Sequence, residues 1–438
     1  MAPLFIYNDR FHRGPRGLSP NTVEHGCLLQ AAGMPHHTLL RRRFADPYQQ
    51  FRMLDPQVYL AGLDAATCGD AVATLATYPW FAQADVADFN SGQSTQRDWM
   101  AANRTSLIGG WRGSPPTSSK GVYACAHAAL ELQIQLDCAC LIAPAPLRVN
   151  MNRIGEMETQ WWDASIAAQR ALADDRPLLL TLAISDPLLR DQNAATNPLI
   201  LQLLAEISAR RTEVAGVFLA VNQATADEYT CSDGSLAASL LHIVGALALR
   251  ANMAVVVGYQ GVVGAALVAA GAVSWSTGYY KRLRRLRLAD YGPEAGGRAR
   301  PRFLSLALAG DIGVEHGIDA VWRAGNRVAI TRTAASQPLL AALSARQLAA
   351  GSPEWAYTPG NITAAWGHYC LVLDQICTSM VGQQTEARVD QCSQWLARAA
   401  DGIERLRGLA GFDTNASETL HQRAWSRAFD NWRGNFFS

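Results

Sequence analysis

The chain has 438 residues, is 49% hydrophobic and 17% charged, and carries a formal net charge of +1. That size and balance supply a large apolar core with room for a smaller unit beside it, and they exclude a disordered, collagenous or disulfide-scaffold chain. A charge so near zero also excludes a uniformly basic polyanion binder, so attraction for nucleic acid has to be local.

Residues 1–50 read as an irregular N-terminal segment with a basic patch at Arg41, Arg42 and Arg43. The opening MAPLFIYNDRFHRG lacks the long apolar run of a secretory leader, and the nine cysteines are scattered and odd in number. A reducing, cytoplasmic setting is therefore the expectation. Strand–helix alternation then begins. The apolar patterning predicts strands over 57–62, 84–89, 138–143, 178–184, 214–221, 254–257, 272–276 and 303–309, with helices between them. The stretch 254–276 is the longest apolar run. It is broken by Gly258, Gly261 and Gly271 and reads as strand–helix–strand, not as a membrane span. From about residue 334 the period becomes helical, over 337–350, 362–381, 386–409 and 417–433. Trp355, Trp366, Trp395, Trp425 and Trp432 fall there, where aromatics at helical spacing read as core. Cys370, Cys377 and Cys392 lie there near His368 without a zinc-ligand spacing, so no metal is expected.

Short buried strands separated by helices imply a parallel sheet. The expected fold is a (β/α)8 TIM-like barrel over 51–333 with a C-terminal α-helical bundle or cap over 334–438. A doubly wound open sheet is the alternative, disfavoured because no G-x-G-x-x-G opens a helix early in the chain.

In such a barrel the chemistry sits just past the strand ends. The residues expected there are Asp88, Asn90 and Gln93, then Ser185 and Asp186, Asn222 and Gln223, Tyr259 and Gln260, and Ser276. No strand ends in His, which argues against a metal-dependent hydrolase. The chain has no G-x-S-x-G, and its only lysines, Lys120 and Lys281, are expected in loops, which argues against a serine hydrolase and a Schiff-base aldolase. Asp88 and Asp186 are the candidate acid, base or nucleophile, although Asp186 before Pro187 equally suits a turn. Asn90, Gln93, Asn222, Gln223, Tyr259, Gln260 and Ser276 suit recognition of a polar planar group by hydrogen bonds. Residues 281–302 carry eight basic and two acidic side chains. Lys281, Arg282, Arg284, Arg285 and Arg287, with Gly258, Gly261 and Gly278, are the expected contacts to phosphate or a nucleic-acid backbone.

Two resemblances sharpen this. The strand–Gly–helix–strand–Gly unit at 255–278 is similar to the phosphate-binding units of many barrels, flavin-mononucleotide oxidoreductases among them. Asp88-Phe89-Asn90-Ser91-Gly92-Gln93 is similar to the Asp-Ser-Gly-Gly-Phe-Gln element of the tRNA-guanine transglycosylase superfamily, and residues 270–277 with the trailing arginines resemble its Gly-x-Asp-x-Phe-Asp-Cys segment. That resemblance implies a barrel that cleaves a base–sugar N-glycosidic bond, with Asp88 catalytic. Ser276 stands where the family has its nucleophilic Asp, and the family's zinc site has no counterpart. The missing nucleophile favours hydrolysis over base exchange. The functional expectation is thus a base glycosylase or transglycosylase-like enzyme, without a cofactor, acting on DNA or RNA; a modified base is one conceivable target, and the sequence leaves the base open. A barrel enzyme for a small phosphorylated or flavin-type ligand and a non-catalytic nucleic-acid binder are the alternatives.

Overall fold

The structure is a computed structural model that describes residues 5–9, 26–41, 51–64, 67–81, 115–190, 193–224, 229–292, 301–314, 317–345, 359–410, 412 and 417–437. Its centre is an eight-stranded sheet in the order β3-β2-β1-β8-β7-β6-β5-β4. The strands are β1 (Phe5–Asp9), β2 (Gly26–Gln30), β3 (Arg52–Asp55), β4 (Leu141–Ile142), β5 (Leu178–Ser185), β6 (Gly216–Asn222), β7 (Ala254–Val257) and β8 (Ser274–Thr277). Every ladder between named neighbours is parallel. The two ends of the sheet approach each other, and the Ala139 N–H donates to the Arg52 carbonyl at 2.7 Å where β4 meets β3. The sheet is therefore a nearly closed (β/α)8 barrel.

Helices surround it: α1 (His36–Arg41), α2 (Gly69–Leu75), α3 (Ser119–Gln135), α4 (Glu156–Leu172), α5 (Pro198–Ala209), α6 (Gly234–Gly245) and α7 (Gly264–Ala269). The helices cover the outside of the sheet, so β5 (LLLTLAIS) is buried along its whole length and carries no polar alternation. Local starts are written in the sequence. Asn197 caps α5 by accepting from the Leu199 and Ile200 N–H groups, and Asp233 caps α6 through Ser235 and Leu236. The small residues of α7 let it lie flat on β8. A Cβ added at Gly264 would stand 2.0 Å from Cδ1 of Trp275.

Several expectations are corrected. Residues 57–62 hold a 3-10 turn, Val58–Leu60, instead of a strand. The segment 1–50, expected to be irregular, supplies β1 and β2 and so completes the barrel. The expected final strand at 303–309 lies outside the barrel: β9 (Arg302–Ser305) pairs antiparallel with β10 (Gly310–Gly313) in a sheet of its own. Lys120, expected in a loop, opens α3 instead. The strand expected over 84–89 lies outside the described residues.

The helices α8 (Gly317–Arg323), α9 (Gln337–Ser344), α10 (Pro359–Met380), α11 (Thr385–Arg407) and α12 (His421–Phe436) follow. They form a layer on one side of the barrel. Leu373, Leu396, Trp425 and Phe429 belong to the same continuous hydrophobic cluster as Leu182, Val217 and Leu240 of the barrel and its helices. Helix α12 packs chiefly against α6 and α11, so the C-terminal segment shares its core with the barrel. Among the described residues no helix is long and apolar enough to cross a membrane.

Candidate active site at the barrel mouth

Register decides which side chains face the barrel axis. Gln30 pairs with Asp55, Asn8 with Leu28, Ile6 with Ser276 and Ser185 with Asn222. Paired residues and their i±2 neighbours share a face. Asn8, Gln30, Asp55, Ser185, Asn222 and Ser276 thus share the inward face, near the carboxyl ends of their strands. Below them Ile6, Met53, Phe218 and Val256 fill the barrel with apolar side chains.

Asp55, the last residue of β3, is the centre of a buried polar cluster. Its Oδ1 accepts from the Gln57 N–H at 3.0 Å, and its Oδ2 accepts from the Tyr259 hydroxyl at 2.6 Å and from the Tyr59 hydroxyl. The Gln57 amide donates to the hydroxyls of Tyr259 (3.0 Å) and Tyr291 (2.9 Å), and its Oε1 accepts from the Ala32 N–H at 2.8 Å. Burial pushes the Asp55 carboxyl up to about 6, although the hydrogen bonds from Tyr259, Tyr59 and Gln57 pull the other way. Burial and the neighbouring carboxylate keep both phenols neutral, raising Tyr59 and Tyr259 well above their ordinary value. An acid group poised near neutral pH, hydrogen-bonded to neutral hydroxyls, can accept and return a proton.

Two members of this cluster hold unusual backbone. Gln57 and Tyr259 are non-glycine residues in the left-handed region, at φ 52° and 58°. Such conformations cost roughly 1–3 kcal/mol and persist where the surroundings impose them, often at working sites. Ser276 does the imposing at Tyr259, since its Oγ accepts from the Tyr259 N–H at 2.9 Å.

At the carboxyl ends of the strands lie amide groups left unsatisfied among the described residues. Both side-chain atoms of Gln260, Oε1 of Gln223, Nε2 of Gln30 and Oδ1 of Asn8 are buried without a hydrogen-bond partner among the described residues. A buried amide left unpaired costs about 1–3 kcal/mol, so such a set suits a ligand or ordered water that offers both donors and acceptors.

The segment after β8 forms the roof. The Gln223 N–H donates to the Leu286 carbonyl at 2.8 Å, the Leu288 N–H donates to Oδ1 of Asn222 at 3.1 Å, and Tyr291 reaches Gln57. The expected backbone-binding arginines are therefore partly committed inward. Arg284 is buried, with Nη1 2.7 Å from Asp311 and 3.4 Å from Glu418, and its guanidinium lies 4.5 Å from the Tyr369 ring centre. Burial opposes its charge, but Asp311, Tyr369 and Glu418 hold its pKa above the ordinary value. Arg285 pairs with Asp290 at 2.9 Å and stacks on Tyr229. Lys281 also stands over Tyr229, and Arg282 donates to the Asp290 carbonyl. Nε of Arg287 is buried without a hydrogen-bond partner among the described residues.

The glycines expected to cradle phosphate face the protein's own side chains. A Cβ at Gly258 would meet Phe218 at 2.8 Å, at Gly261 Thr230 at 2.7 Å, and at Gly278 Leu283 at 2.4 Å. Close approach explains all three, but the approaching group is a neighbouring side chain.

Of the expected catalytic carboxylates, Asp186 is a structural tie. It is fully buried, its Oδ2 lies 2.7 Å from Nη2 of Arg190, its Oδ1 accepts from the Ala224 N–H at 2.9 Å, and Arg190 continues to Asp233. Asp88, Asn90 and Gln93 lie outside the described residues. Sequence reasoning does not reach Asp55, Gln57, Tyr59, Gln30 or Asn8. The signal available for the first of them is the apolar run Met53-Leu54 closed by Asp55-Pro56, a strand end that the patterning puts a few residues too late. Among the described residues no group of His, Cys, Asp and Glu side chains could hold a metal ion. No family model matches this chain, and no curated protein does.

Proposed function

We propose that this chain is an enzyme that cleaves an N-glycosidic bond at the mouth of its barrel, with Asp55 as the proton-transfer group. One observation carries the reading: a buried carboxyl raised to about 6 at a strand end, in a mouth whose strand ends also carry buried amides without partners among the described residues. The amides of Gln30, Gln223 and Gln260 offer donors and acceptors together, which is what the edge of a nucleobase or a sugar requires. In the protonated state Asp55 supplies a proton toward the departing base through Tyr59 or Tyr259. In the ionised state it takes one from water. Asn222 and Ser276 position the site from inside, since Asn222 holds the roof at Leu288 and Ser276 holds Tyr259.

The roof over the mouth, and the inward commitment of Arg284 and Arg285, favour a single nucleoside or nucleotide unit over a long duplex. In a nucleic-acid substrate, the partly exposed Lys281, Arg282 and Arg287 are the side chains of this segment that would face the backbone, and the reacting base has to be flipped out. The test is release of free base from nucleosides, single strands and duplexes of DNA and RNA, followed across pH. Base release with a rate limb near pH 6, reduced about a hundredfold or more by Asp55→Asn, is the expected result. Base release that survives Asp55→Asn removes Asp55 from the chemistry.

A further inference from the structure

A hollow lies away from the mouth. A cavity of about 630 Å³ opens between the β9–β10 turn, residues 326–331 and the facing sides of α10 and α11. That is the size of a small-molecule site. Leu308, Ile376, Met380 and Cys392 make a buried apolar floor. Trp395 forms a wall, and its indole N–H is already committed to the Leu306 carbonyl at 2.7 Å, so it offers no donor to a guest. Helix α11 is held tightly against the turn: a Cβ at Gly402 would stand 2.8 Å from Cδ2 of Leu308.

Among the described lining residues the charge has one sign. Arg398 and Arg405 line it and are both exposed, and no Asp or Glu is among its described lining residues. Seven residues apart on one helix, they stand two turns apart on the same face. An apolar floor with a one-sign cationic rim complements a guest with an apolar body and an anionic head.

We infer that this cavity binds a free amphipathic carboxylate, a medium-chain fatty acid in chemical class, with its chain along Leu308, Ile376 and Met380 and its carboxylate at Arg398 and Arg405. The site is independent of the barrel mouth and of the glycosidic reading.

The test uses the full chain, with anilinonaphthalene sulfonate as the reporter and dodecanoate and dodecanol as competitors. One saturable reporter site is expected, displaced by dodecanoate at lower concentration than by dodecanol. Arg398→Ala and Arg405→Ala are each expected to weaken dodecanoate by about two- to fivefold, as for partly exposed ion pairs, and to leave dodecanol unchanged. Ser379 is exposed and lines the cavity, so Ser379→Trp should abolish binding of both without changing the thermal midpoint. Three outcomes overturn the inference: no saturable reporter site, equal displacement by acid and alcohol, or reporter binding that survives Ser379→Trp in a folded protein.

Discussion

Asp55 at the barrel mouth and Glu418 at the junction with the C-terminal layer are both buried carboxyls, and they are displaced in opposite directions. Burial raises each. At Asp55 the partners are two phenols and an N–H, all neutral, and the carboxyl stays high at about 6. At Glu418 burial is outweighed by Arg284, with His421, Lys281 and Arg302 behind it, and the carboxyl falls to about 2. Neutral donors lessen the cost of a buried negative charge without cancelling it, whereas a nearby cation reverses it. The junction is therefore built to hold a permanent charge and fix geometry. The mouth is built to let a charge come and go.

That contrast can be broken most directly at Arg284. Arg284→Met should destabilise the protein by about 3–5 kcal/mol, because Asp311 and Glu418 would be left buried without their nearest cation. A urea midpoint close to that of the parent protein would show that the junction does not depend on the pair. Asp55→Asn should do the reverse. The folded carboxyl titrates above its unfolded value of 3.8, so its contribution is complete below about pH 4 and is lost as pH rises through about 6. Removing the ionisable group should make the variant relatively more stable at pH 8 than at pH 4, by up to about 3 kcal/mol. Parallel stability–pH curves for the two proteins would contradict the raised carboxyl.

Glu418 has the opposite sign. Its folded value lies below the unfolded 4.5, so its contribution is present above about pH 4.5 and is lost as pH falls toward about 2. Glu418→Gln should flatten that acid limb in thermal unfolding scans, and a limb unchanged in shape would assign the acid loss to other carboxyls. A smaller change should come from Tyr259→Phe. It removes one hydrogen bond that lowers Asp55, so the limb of the pH–rate profile should move upward. A downward shift would mean that the phenol acts on the protonated form. The smallest effect is expected on the roof: Arg282→Ala should leave stability within about 0.5 kcal/mol. It should lessen the salt dependence of nucleic-acid binding only if the substrate is a polymer.

Much of the barrel was legible in the chain. β5 to β8 are long or closely spaced apolar runs with helical patterns between them, and the parallel sheet follows from that alternation because both of its faces are covered. The helical character after residue 334 was equally plain from its period. The first strands were not legible, since FIYND, GCLLQ and RMLD are four or five residues each and carry too little pattern to stand out from their connections. Residues 302–305 have strand character that a local antiparallel partner, GDIG, satisfies, so composition alone could not exclude them from the barrel. The polar mouth with Asn222, Tyr259 and Ser276 was readable as a list of strand-end residues. What Asp186 and Arg284 do with their charges was not, because Ala224, Asp311 and Glu418 lie between 27 and 134 residues away along the chain. Sequence by itself determined β5 to β8 and most of the helices, through local periodicity and capping. Tertiary structure alone decided which charges are neutralised and which carboxyl is left able to titrate, because burial and long-range partners set those energies.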